Sequence, residues 1–200
     1  MFHRIRLGVV AAIVAVPTVA VAGVASASSS SSGSSATITA RSLPSSDTGS
    51  AYAHRGAAVA SSKLTVRTFV NGSDGFSLAG VGEAQYPAST TNGGRTWQID
   101  GPHFHVNAAN APDVVTRVGA VGPSTYFAYG GGGQSVIVST DAGKHWWRAY
   151  FSGSPLTVEP TSAGGGTSGL VTIVENNPGK FQAYVSTDGG RHWHLTHGFV

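Results

Sequence analysis

The chain has no cysteine and a single methionine, and charged residues make up only 10% of its 200 positions. Without cysteine there are no disulfides, no thiol nucleophile, no cysteine-ligated zinc and no iron–sulfur cluster. A domain without disulfides must be held by its apolar core alone. Basic clusters are also missing. The formal charge is +3, from 12 Lys plus Arg against 9 Asp plus Glu. Two of those basic residues, Arg4 and Arg6, lie at the extreme N-terminus, which leaves ten against nine in the remainder. A near-neutral body without a Lys/Arg patch gives no footing for nucleic acid.

Long apolar runs are confined to one place. Val9 to Val24 is almost wholly Ala, Val, Ile and Gly, follows the short basic start, and ends in Ala25-Ser26-Ala27. The run is short for a membrane span. Its small-x-small exit fits signal-peptidase cleavage after Ala27. Residues 1–27 therefore read as a signal peptide of the general secretory route. The mature protein is expected to start at Ser28, to be extracellular and to keep no stable membrane insertion. Residues 28–62 open with a Ser-rich linker (Ser28 to Ser35) and continue as a segment to which no structure is assigned.

What the chain has in abundance is glycine, 28 residues, with many Ser and Thr. From Leu64 onward, short runs rich in β-branched and aromatic residues alternate with turn residues. Asn71-Gly72, the run Gly130 to Gly133 and Asn176-Asn177-Pro178-Gly179 mark turns. No 3.6-residue apolar period follows the N-terminal run. The expected fold class is all-β.

Three octapeptides align without gaps. They are Thr90-Thr91-Asn92-Gly93-Gly94-Arg95-Thr96-Trp97, Ser139-Thr140-Asp141-Ala142-Gly143-Lys144-His145-Trp146 and Ser186-Thr187-Asp188-Gly189-Gly190-Arg191-His192-Trp193. Near-equal spacing makes them an internal repeat. In each, a short Asp or Asn acceptor can hold the amides of its own turn, and Gly supplies positive φ. The Trp can then fold over the hairpin.

These copies resemble the Asp-box, or BNR repeat, Ser/Thr-x-Asp-x-Gly-x-x-Trp, of sialidase-like β-propellers. The second and third copies match fully, and the first carries Asn92 in place of Asp. The resemblance implies a β-propeller-like domain over 63–200. It would hold about three four-stranded antiparallel blades, near 63–101, 112–151 and 154–200. Three blades are fewer than close a ring, so the chain is expected to form a partial propeller. The end faces, represented by Leu64, Val66 and Phe76 at one end and Leu170, Ile173 and Phe181 at the other, are expected to be covered by self-association, ideally a two-fold homodimer completing six blades, or by residues 36–62, or by the rest of a longer gene product.

Function is less legible. The resemblance places Asp141 and Asp188 in turns on the blade periphery, so they are read as structural. Arg67, Arg117 and Arg148 stand singly on expected strands, and a sialidase would need three arginines gripping one carboxylate, with Tyr and Glu as nucleophile pair. Tyr150 and Glu159 are unassigned, and Arg41-Ser42-Leu43-Pro44 departs from the family's first-arginine segment. His103 and His105, and likewise His192 and His194, have metal-like spacing. Repetition accounts for His145 and His192, and His103 and His105 are read as solvent-exposed. No catalytic, cofactor-binding or metal site is assigned. The expected role is a non-catalytic module presenting a loop surface to a protein or glycan. The alternatives are a sialidase-like glycoside hydrolase, degenerate or truncated, and a cell-envelope scaffold or assembly factor.

Overall fold

The computed structural model describes residues 36–45, 53–106, 115–161 and 169–199. The expected signal peptide and Ser28 to Ser35 lie outside them. Among the described residues no helix is long and apolar enough to cross a membrane. The fold is all-β among the described residues, relieved only by a 3-10 turn at Ser61–Lys63.

Three short strands come first: β1 (Thr37–Thr39), β2 (Arg41–Ser42) and β3 (Ala58–Val59). Three antiparallel meanders follow. The first runs through β4 (Leu64–Phe69), β5 (Gly75–Val81), β6 (Ala84–Thr90) and β7 (Trp97–Ile99), with β8 (His105–Val106) added against β6. The second comprises β9 (Arg117–Val121), β10 (Thr125–Tyr129), β11 (Ser135–Ser139) and β12 (Trp147–Tyr150). The third comprises β13 (Ser154–Thr161), β14 (Gly169–Asn177), β15 (Lys180–Ser186) and β16 (His192–Phe199). Each meander thus occupies one expected repeat.

Each sheet also has a fifth strand on its path, borrowed from the N-terminal segment. β3 pairs with β7, β2 with β12 and β1 with β16. The stretch left unassigned in the sequence therefore edges all three sheets, in reverse order along the chain. Two borrowed strands pair with the Trp of a repeat, Val59 opposite Trp97 and Ile38 opposite Trp193, and in the other Ser42 lies opposite Trp147, the neighbour of the repeat's Trp146.

Packing explains the composition of the strands. One core, between the first and second sheets, joins Phe76 and Leu78 to Tyr126, Ile137 and Trp146. A second, between the second and third sheets, joins Phe127, Val136 and Val138 to Leu170, Val174 and Trp193. β11 is buried on both faces, which is why it reads Val-Ile-Val without a polar break. A third cluster covers the far side of the first sheet, with Tyr86, Ala88, Trp97 and Ile99 meeting Ala53, Ala57 and Val59.

The end faces differ from expectation. Phe76 and Leu170 are fully buried against the middle sheet, and Val66 packs on the same core as Phe76. Leu64 faces the cluster on the far side of the first sheet. Leu64 and Val66 are half-buried against those cores, whereas Ile173 and Phe181 are half-exposed on the outer side of the third sheet, beside Val171 and Val185. The reason is strand parity: neighbours along a strand point to opposite faces, so Leu170 and Ile173 cannot share one.

Candidate functional site

The three octapeptides form closed hairpin corners. In the second, the Ser139 hydroxyl accepts from the Gly143 amide at 2.8 Å and donates to Asp141 Oδ1 at 3.0 Å. Asp141 Oδ1 also accepts from the His145 amide at 2.9 Å, while Oδ2 meets His145 Nδ1 at 2.5 Å. Ser186, Asp188 and His192 repeat these contacts at 2.8, 2.9 and 2.6 Å. In the first corner Thr90 takes the Gly94 amide, and Asn92 donates from Nδ2 to the Thr96 hydroxyl at 2.8 Å instead of meeting a histidine. His145 and His192 are thus bound to their own turns. Burial raises the Asp141 and Asp188 carboxyls, but bonds from the histidine ring and amide and from the serine outweigh it and hold both below their ordinary value.

The corner tryptophans are core residues, at most 1% exposed. Trp97 and Trp193 donate from Nε1 to Gly94 and Gly190 of their own corners, at 3.1 and 3.0 Å. Arg191 stacks on Trp147, 5.1 Å from the ring centre.

The three arginines do not converge. Arg67 donates to the Ser61 carbonyl, Arg117 to that of Leu156 and Arg148 to that of Phe104. Arg148 is buried between the first two sheets, and its Nη1 reaches the Tyr150 hydroxyl at 3.3 Å. Glu159 is exposed on β13. Gly130, Gly131 and Gly132 all take positive φ, as expected of a turn.

His105 departs from the sequence reading. It is buried, not solvent-exposed, because β8 pairs with β6 and sets it beside Gln85. His103 is half-buried and meets Tyr86 edge-on. Among the described residues, no group of three His, Asp or Glu is placed to hold a metal.

Two residues had no sequence signal. Asp100, just after β7, is buried, and Arg55 Nη2 bonds its carboxylate at 2.9 Å. Burial raises its pKa; the Arg55 charge and a Ser89 hydrogen bond pull the other way without cancelling the effect. Its partners lie far off in sequence, which is why no motif marks it. Tyr150 is the second: with Phe69 it is one of two large hydrophobic side chains that stand exposed among the described residues. Phe69 is committed to the first corner, edge-on to Trp97. Tyr150 lies at the end of the sheets away from the corners, where β10–β11 and β14–β15 turn.

No protein-family model, no curated protein and no solved structure matches the chain. The Asp-box resemblance accordingly rests on the three octapeptides and their geometry.

Proposed function

We propose that the protein is a secreted, non-catalytic module of Asp-box propeller type. It presents the loop surface opposite its corners to a protein or glycan. One observation carries this reading: the side chains best suited to chemistry are already committed inside the fold. The corner carboxylates hold their own turns, and the three arginines serve three different carbonyls. A carboxylate substrate would need those guanidiniums together, so the arrangement weighs against a glycosidase.

Two observations support the corner-free end as the binding surface. At the corner end the turns bond one another, Gly93 to Ser73 and Ala142 to Ser124. The opposite end carries Tyr150 with its ring half open to solvent and its hydroxyl steadied by Arg148. Exposed aromatic rings are favoured contact residues at interfaces.

A glycan array and an affinity capture, run side by side with natural protein and Tyr150→Ala, test the proposal. Binding that the substitution weakens tenfold or more is expected in one of the two formats. A fluorogenic sialoside turned over by the natural protein would replace this reading with the glycosidase.

A further inference from the structure

The N-terminal segment 36–43 crosses two sheets as one extended strand. Thr37, Ile38 and Thr39 pair with His194, Trp193 and His192, then Arg41 and Ser42 pair with Arg148 and Trp147. Between the two pairings the Ala40 amide donates to the Arg191 carbonyl at 2.8 Å, and beyond them the Leu43 amide donates to Trp146 at 2.8 Å. Each contact falls where a fourth strand leaves its Asp-box corner. The attachment is backbone-rich and poor in buried side chains. Ala40 is buried, Ile38 and Leu43 are half-buried, and Thr37, Thr39, Arg41 and Ser42 are exposed. By contrast Leu170, Val174 and Trp193 beneath it are fully buried.

A segment with few buried apolar contacts opens at lower free energy than the core it lies on. Opening bares the edges of β12 and β16, whose unpaired amides and carbonyls are a template for another strand. The segment whose register and side chains fit both edges is 36–43 itself. We infer that the outer edges of β12 and β16 form a strand-docking track that releases its own strap and accepts the same segment from a second copy of the chain. Exchange of an identical element preserves every contact, so its extent depends on concentration. The tethered strap competes at an effective concentration on the order of mM.

The test uses the full mature chain and a fluorescent peptide of residues 36–45, standing for the second copy's strap. Ile38→Asp in the chain should free the track by placing a charge opposite Trp193. The natural peptide is expected to bind this variant at least about tenfold more tightly than the natural chain, where the tethered strap competes. A peptide carrying Ile38→Asp should bind neither. Equal binding to both chains, or none to a folded variant, overturns the proposal. Should the variant not fold, amide exchange on the natural chain decides. Ala40 and Leu43 are expected to exchange at least about a hundredfold faster than the β14–β15 ladder. Equal rates would show that the strap opens only with the whole fold, and the track would be refuted.

Discussion

Trp146 Nε1 donates to the backbone carbonyl of Asp100 at 2.9 Å, across the junction of the first two sheets. The equivalent tryptophans bond within their own corners. The middle corner is therefore also a clamp. Gly143 of the same corner lies so close to the Asp100 carboxylate that a Cβ there would collide with it. Arg55 closes the junction, reaching Asp100 and the Lys144 carbonyl together.

Trp146→Ala should cost about 3–5 kcal/mol, because it empties a site lined by Phe76 and Phe104. Trp146→Phe should retain much of the packing and lose about 1–3 kcal/mol through the orphaned carbonyl. Arg95→Ala, at an exposed corner position, should stay within about 0.5 kcal/mol. Urea unfolding of the three variants checks the order. An unchanged midpoint for Trp146→Ala would contradict the clamp.

Ala142 is the one non-glycine with positive φ, 56°, among the described residues. The other two corners place Gly93 and Gly189 there, at 72° and 73°. A Cβ in this region is strained, so Ala142→Gly should raise stability by about 1 kcal/mol. A lower melting temperature would mean that the methyl's contact with the core outweighs the strain.

Acid should loosen the second and third corners before the first. The Asp141 and Asp188 carboxyls lie below the ordinary value of 3.8 in the folded protein, since the bonds from histidine and serine outweigh burial. Their stabilisation is complete above the unfolded value and is lost as pH falls through the folded one. Asp100 works in the opposite sense: its raised value means that protonation relieves a burial cost as pH falls. A double variant, Asp141→Asn with Asp188→Asn, should resemble the natural Asn92 corner and show a flatter stability profile below about pH 4. Denaturant midpoints across pH 2–7 are the measurement. A slope identical to that of the natural protein would assign the acid response elsewhere.

Export should leave Ser28 as the first residue, because Ala25-Ser26-Ala27 ends the apolar run. N-terminal sequencing of protein from the medium is the check. Recovery of intact Met1 in a membrane fraction would show an anchor instead.

The repeats, the strands around them and the all-β class were legible in the chain because a hairpin corner is a local object. Ser139, Asp141, Gly143 and His145 satisfy one another within seven residues, so the bonds that make the turn are written in consecutive positions. Strand parity is equally local, but which face meets a neighbour is not. Phe76 and Leu170 turned inward because the middle sheet supplies a partner for both. The burial of His105 came from a strand pairing with Gln85, and that of Asp100 from Arg55 and the second corner. Least legible was the strap. Thr-Ile-Thr-Ala-Arg-Ser looks like any polar, weakly alternating segment. It acquires a place only when the second and third sheets present open edges, beside Trp147 and Trp193, within reach of a single extended strand.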